Sequence, residues 1–211
     1  MVKTMKEGRL VILAGIDGSG KSTLLSYLEE RGYFISHWKR LKKLSLPKPL
    51  NFENPAEVVQ TLKDQERLDF IWAYISSEWK YLIKPALNIG KNVISDGFFI
   101  RFYIKEKIYN KLGVNELLKY SPLTGKEFII MIDTPPKIAF QRKLSSNISP
   151  YECFKSVKDF VEFQSLQRKM LLAFIKDFPY IIINGMLAKE KLVNRVLREL
   201  EKNQINPEKN R

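Results

Sequence analysis

The 211-residue chain holds one cysteine, Cys153, and one histidine, His37. A single cysteine cannot close an internal disulfide and supplies no thiolate set for a cysteine-rich metal site. A lone histidine argues against a His-based catalytic dyad and excludes a multi-histidine metal cluster. Acidic residues are in short supply: 23 Asp and Glu stand against 36 Lys and Arg, a net charge of +13. Such an excess suits a protein that handles polyanions, whether nucleotides, nucleic acid or an anionic membrane, and charge alone does not choose among them. No apolar run approaches the ~20 residues that span a bilayer. The polar N-terminus MVKTMKEGR leads straight into the first apolar segment, so no signal peptide is expected. The expectation is a cytoplasmic protein with no membrane partner. A hydrophobic content of 45% and a length of 211 residues fit one globular domain with a substantial core.

What the chain does have is the stretch Gly15 to Thr23, GIDGSGKST. It fits the phosphate-loop pattern G-x-x-x-x-G-K-[ST] through Gly15, Gly20, Lys21 and Ser22. Gly15, Gly18 and Gly20 let the backbone turn with no Cβ in the way, so several N–H groups can face one anion. Lys21 offers a mobile point charge for the β- and γ-phosphates, and the Ser22 hydroxyl suits Mg²⁺. Before the loop, LVILAG is a short continuous apolar segment of buried-strand type. After it, STLLSYLEERG has helical apolar spacing. Phosphates would therefore sit at a helix N-terminus, where the dipole favours negative charge. Gly15, Asp17, Gly18, Ser19, Gly20, Lys21, Ser22 and Thr23 are the candidates for holding the donor nucleotide, ATP.

Further along, YFISH (Tyr33 to His37) reads as a second strand, followed by a basic loop with Lys39, Arg40, Lys42, Lys43 and Lys48. Asn51 or Asn54 is placed to cap a short helix near Pro55. A long helix is expected from about Gln65 to Leu87, rich in aromatic residues that include Trp72, Tyr74 and Trp79. That density is chiefly core, with room for one ring against a nucleobase, and Trp72 is the candidate. NVISD (Asn92 to Asp96) is a third strand ending in a carboxylate that can reach Mg²⁺. A helix from Phe98 carries Arg101, Lys105 and Lys107 near its start, and EFIIMID (Glu127 to Asp133) is the fourth strand. A helix opening on TPP carries Arg142 and Lys143, and residues 143–158 then read as a mobile lid. A helix over Asp159 to Asp177, the strand YIIIN (Tyr180 to Asn184) and a last helix from Ala188 to Leu200 complete the chain. Residues 204–211 are assigned to a polar, disordered tail, and 1–203 to one kinase-type domain. Strands alternating with helices behind a phosphate loop predict an α/β, three-layer P-loop NTPase fold. Its core is a five-stranded parallel sheet with helices on both faces.

Among P-loop proteins, a GTPase would need a guanine-reading N-K-x-D, which is missing. A motor ATPase would end its third strand in paired acids, whereas Gly97 follows Asp96. From about residue 8 to 200 the chain resembles the thymidylate kinase family of nucleoside monophosphate kinases. GIDGSGKST matches the family loop, including Asp17. KPALNIGKNVISD resembles the segment leading to its Asp-Arg-aromatic motif, with Asp96 as the acid. MIDTPPKIAFQRK resembles its D-x-x-P-x-x-A-x-x-R helix through Asp133, Pro136, Ala139 and Arg142. FVEFQSLQRKMLLAF and YIIING resemble its closing helix and strand, after which the next loop wraps the adenine.

The resemblance implies ATP- and Mg²⁺-dependent transfer to a nucleoside monophosphate, dTMP to dTDP first, by a homodimer working on small nucleotide substrates rather than nucleic acid. With it, catalysis is expected of Lys21, Asp96 and the lid cation Arg142, metal binding of Ser22 and Asp96, and acceptor contact of Asp17. Arg101 and Trp72 are further acceptor-binding candidates from the residues themselves. The chain also departs from the family. Gly97 stands where the family has the arginine that binds the acceptor phosphate, leaving Arg101 or the basic loop to replace it. Ile75 and Ser77 fall near the places of the arginine and glutamine that read thymine, and the Arg-Glu-Pro stretch after the second strand is missing. Those departures keep two alternatives open: a kinase of the same fold acting on a nucleoside or other small hydroxyl compound, and a nucleotide-dependent nucleic-acid-binding protein.

Overall fold

In a computed structural model, which describes residues 7–37, 40–41, 58, 61–109, 114–119, 121–144 and 156–207, the five apolar segments pair into one sheet. The strands are β1 (Leu10–Ala14), β2 (Phe34–Ser36), β3 (Val93–Asp96), β4 (Phe128–Asp133) and β5 (Tyr180–Asn184). All pairings are parallel, and the spatial order is β2-β3-β1-β4-β5. Parallel strands need crossovers that cover both faces, which is why these segments read as unbroken apolar runs. The period-2 alternation is still visible in the packing. Leu10, Ile12 and Ala14 of β1 and Ile129 and Met131 of β4 enter one hydrophobic cluster. Val11 and Leu13, with Phe128, Ile130 and Ile132, enter the other.

The helices are α1 (Lys21–Glu30), α2 (Asp64–Glu78), α3 (Lys84–Asn88), α4 (Phe98–Tyr109), α5 (Val114–Lys119), α6 (Pro136–Leu144), α7 (Val157–Phe174) and α8 (Lys189–Lys202). α1 and α8 cover one face of the sheet; α2, α4, α6 and α7 supply the cluster on the other. The long helix expected over 65–87 forms, but a π-helical turn, Trp79–Ile83, separates α2 from α3. The cause is Pro85. Its missing N–H and its ring's clash with the carbonyl four residues back forbid the ordinary ladder, and the turn widens to accommodate it. α5 is too short to announce itself by periodicity.

The tail assignment needs correction at its start. Gln204 takes a left-handed φ of 58°, and its N–H donates to the Glu201 carbonyl. The Ile205 N–H donates to the Leu200 carbonyl at 2.9 Å, and Ile205 is fully buried in the α1/α8 cluster. This is a Schellman cap with its hydrophobic contact, so Gln204 and Ile205 belong to the folded unit. The basic-loop residues Lys39, Lys42, Lys43 and Lys48, the cap candidates Asn51 and Asn54, lid residues 145–155 and tail residues 208–211 lie outside the described residues.

The sheet order sets the position of the site. β1 is central, with β3 on one side and β4 on the other, so the chain's connections diverge at its C-terminal end. Ligands bind at such a switch point. Leu13 pairs with Asp96, and the Gly97 N–H donates to the Leu13 carbonyl at 3.0 Å. The glycine loop and the β3 carboxylate are thereby neighbours.

Candidate active site

The glycine loop leaves β1 at Gly15 and enters α1 at Lys21 through Gly20, whose φ of 98° is left-handed. No side chain caps this helix, and its first turn holds no acid. Its leading N–H groups are thus offered to an outside anion, reinforced by the helix dipole. Gly18 has φ +79°, and a Cβ there would stand 2.4 Å from the Ala139 carbonyl oxygen and 3.1 Å from Lys143 Cγ. Its glycine is required twice, by backbone conformation and by the close approach of α6. A loop arginine has no room at this position.

Lys21 Nζ donates to the carbonyls of Gly15 and Ile16, each at 2.8 Å, and to Ser19 Oγ at 3.3 Å. Burial lowers its pKa, opposed by the nearby carboxylates of Asp96 and Asp17. Ser19 does not serve as its place in the motif suggests. Its side chain is fully buried and its N–H donates to the Ile16 carbonyl at 3.2 Å, so both groups work inside the loop. Ser22 and Thr23 are exposed at the cleft mouth.

The cleft has a volume of about 570 Å³. The loop and α1 form one wall; Asp96, Arg101 and Lys143 border the phosphate end; Gly185, Leu187, Leu192 and Val193 form an apolar end, with Arg142 bonded to Gly185. Its lining cations are Lys21, Arg101, Arg142, Lys143 and Lys189, against the carboxylates Asp17 and Asp96. That imbalance favours a polyanionic ligand.

Asp96 accepts a long, 3.5 Å bond from Arg101 Nη1 through Oδ2, while its buried Oδ1 has no partner among the described residues. A buried carboxylate oxygen left unbonded is costly unless a cation or donor arrives. The described residues hold no cluster of three or more His, Cys, Asp or Glu. Mg²⁺ does not need one, since it is usually held by one or two protein oxygens together with waters and substrate phosphates. Asp96 Oδ1 with the Ser22 hydroxyl fits that requirement.

Arg101 also hydrogen-bonds the Tyr74 oxygen, and its guanidinium lies 4.8 Å from the Phe102 ring centroid. Burial would lower its pKa, but the Asp96 carboxylate, with the Tyr74 oxygen and Glu78 nearby, outweighs that and raises it. Glu78 of α2 is buried between two strand ends, accepting from Ser36 Oγ at 2.7 Å and from Ser95 Oγ at 3.2 Å. Ser36 and Ser95 face each other in the β2–β3 register, so one carboxylate ties both strand tips to α2.

Burial raises the Glu78 pKa beyond what the two serine bonds and Arg101 recover. The folded protein therefore binds this proton more tightly than the unfolded chain does, and stability falls as pH rises from the ordinary carboxylate pKa through the raised one. Glu78→Gln keeps the hydrogen bonds and removes the titration. Its Tm is expected to exceed that of the unsubstituted chain at neutral pH, with the difference vanishing near pH 4. A difference independent of pH would show that Glu78 does not ionise in this way.

Asp17 is held from three directions. Lys105 Nζ donates to its Oδ2 at 2.8 Å, Gln164 Nε2 to the same oxygen at 3.2 Å, and its own N–H to Gln164 Oε1 at 3.1 Å. Burial would raise its pKa, but Lys105, Lys21 and Lys143 together drive it well below the usual carboxylate range. Arg142 Nη2 donates to the Gly185 carbonyl at 2.9 Å, and Asp133 at the end of β4 is gripped by Arg168 through both carboxylate oxygens.

The structure thus brings Asp17, Lys21, Ser22, Asp96, Arg101 and Arg142 to one cleft. It does not bring Trp72, which sits half-buried on α2 away from the lining. The aromatic residue of α2 that reaches Arg101 is the buried Tyr74, through its hydroxyl oxygen. Glu78, Gln164 and Arg168 were missed, as was any role for Lys105. For Lys105 a signal existed: it follows Arg101 by one helical turn.

No protein-family model matches the chain. The thymidylate kinase of Caldanaerobacter subterraneus subsp. tengcongensis is 30% identical over 212 residues, covering 91% of this chain and 96% of that protein. The chain belongs to the thymidylate kinase family. A probable thymidylate kinase of Methanosarcina barkeri is 28% identical over 204 residues, with 92% and 96% covered. Among solved structures, a deoxyadenosine kinase from M. mycoides, with products dCMP and dCDP bound, superimposes with a TM-score of 0.63 at 16% identity. It covers 92% of this chain and 99% of that one, and shows the shared fold. As a thymidylate kinase family member the protein is a nucleotide kinase, and no described helix is long and apolar enough to cross a membrane.

Proposed function

We propose that this protein transfers the terminal phosphoryl group of ATP, in the presence of Mg²⁺, to a nucleoside monophosphate, dTMP first, with the chain acting as a homodimer as in the family it belongs to. The observation that carries the reading is the uncapped helix N-terminus with Lys21 on one side and the unpartnered Asp96 Oδ1 on the other. The first-turn amides of α1 and Lys21 hold the donor phosphates in line. Ser22 and Asp96 would hold Mg²⁺, which would supply charge neutralisation at the transferring phosphates. The protein's own part is positioning and charge stabilisation rather than covalent chemistry.

Arg142 takes a different part from the lid cation expected of it. Its bond to the Gly185 carbonyl, beside Leu187, supports a role at the base end of ATP. Arg101 takes over acceptor binding from the arginine that is missing at position 97. Gly97 has φ +69°, and a Cβ on it would lie 2.9 Å from Arg101 Cβ. The Arg101 stem fills the space in which a side chain at 97 would begin, so a guanidinium reaches the edge of Asp96 from the next helical turn.

ADP release from ATP and Mg²⁺ with a panel of monophosphates and nucleosides tests the reading. Release above background with dTMP is expected, and Arg101→Ala should raise KM for dTMP ~10- to 100-fold, the worth of a charge-assisted pair. Turnover with nucleosides and none with monophosphates would replace the acceptor half of the proposal.

A further inference from the structure

Lys105 has no part in the donor site, yet it makes the shortest bond to Asp17 and is not among the residues lining the nucleotide cleft. Arg101 and Lys105 stand at i and i+4 on α4, so their side chains rise from one face of the helix about one turn apart. Each rests on a cleft acid: Arg101 on Asp96 at 3.5 Å, Lys105 on Asp17 at 2.8 Å. The acids belong to neighbouring strands: Asp96 ends β3 and Asp17 lies in the loop after β1. The result is a short alternating row of charges along α4, in which Asp96, Arg101 and Asp17 border the cleft and Lys105 stands behind Asp17.

Asp17 is over-compensated. Lys105, Lys21 and Lys143 all act on this one carboxylate, and Gln164 bonds both its side chain and its backbone. Asp17 therefore keeps its orientation and two neighbouring cations when Lys105 turns elsewhere. Lysine suits that change: its ammonium is a point charge on a flexible stem, whereas a guanidinium needs a matching fork. The donor phosphates already have the loop amides and Lys21, so the cations of α4 face the other reactant.

We propose that Lys105 is a contact for the acceptor's phosphate, turning from Asp17 to the incoming monophosphate while Arg101, one turn back, holds the same group. The inference rests on the proposed transfer to a nucleoside monophosphate and names the residues by which an anionic acceptor is preferred to a neutral one. Asp17 serves as the resting partner that keeps Lys105 extended toward the cleft when no acceptor is bound.

The test uses the full chain with Lys105→Met and Lys105→Arg, measuring KM for the monophosphate and for ATP separately, with folding checked by thermal denaturation. Lys105→Met is expected to raise KM for the monophosphate ~10- to 100-fold. KM for ATP should stay within about twofold, and Lys105→Arg, which keeps the charge but not the point-like head, should recover part of the loss. An unmoved KM for the monophosphate overturns the inference while leaving the proposed function standing. So does a rise shared equally by ATP, which would mean that Lys105 only shapes Asp17. Should the unsubstituted chain turn over nucleosides and no monophosphate, the proposed acceptor and this inference fall together.

Discussion

Lys21→Met is expected to lower phosphoryl transfer by about 10³-fold with every acceptor, the scale on which a preorganised charge at the transferring group acts. Methionine keeps the length of the stem and removes the only ammonium inside the glycine loop. The same change should leave Tm unchanged or raise it. Burial lowers the Lys21 pKa, so the folded state holds this proton less tightly than the unfolded chain. The penalty is fully present below the folded pKa and is relieved only as pH rises through it, so at neutral pH a neutral side chain escapes it. Against this stands the loss of the bonds to the Gly15 and Ile16 carbonyls, a cost that limits the gain. ADP release and thermal denaturation on the same preparation check both halves. A variant keeping a tenth of the original kcat would remove Lys21 from the mechanism, and with it the assignment of the cleft. Separating activity from stability in this way is the mark of a site held under strain for function.

Asp96→Asn should be nearly as damaging. The amide keeps the shape and loses the charge that makes Oδ1 a ligand for a hard cation. The rate at ordinary Mg²⁺ is expected to fall ~10²- to 10³-fold, with at least a tenfold rise in the Mg²⁺ needed for half-maximal rate, in line with the several kcal/mol that metal-assisted charge stabilisation supplies. Arg101 remains placed by Tyr74 and Glu78, so KM for the acceptor should change far less than kcat. Titrating Mg²⁺ against rate reads the distinction directly. An Asp96→Asn enzyme with the Mg²⁺ dependence of the unsubstituted chain would mean that the buried oxygen is filled by some other donor.

Local chemistry explains why some of this was legible in the sequence. The glycine loop is a contiguous motif, and its flanking strand and helix are strongly patterned, so Gly15 to Thr23 could be placed without tertiary information. The strands β1, β3, β4 and β5 are short apolar runs between turn residues, and their β-branched content left little doubt of type. The position of Asp96 was legible because a short apolar strand ending in a carboxylate is a local pattern. Trp72 was not, since which ring of an aromatic helix faces a ligand depends on how α2 rolls on the sheet. Glu78 reads as an ordinary surface acid of a helix until β2 and β3 bring Ser36 and Ser95 against it. Gln164, some 147 residues from Asp17, carries no local sign of that contact.

By itself the sequence determined that the chain forms a parallel sheet behind a phosphate loop, because hydrophobic period, glycine conformation and loop chemistry are local properties. It also singled out Lys21 and its neighbouring amides as the candidates for holding phosphate. Only the tertiary structure decided which side chains meet on the acceptor side. Strand order sets Asp96 beside Leu13, the start of α4 lays Arg101 into the space left open at Gly97, and α7 crosses to Asp17 with Gln164. Those contacts join residues far apart in the chain, and their free energy comes from burial and pairing that exist only once the helices have packed.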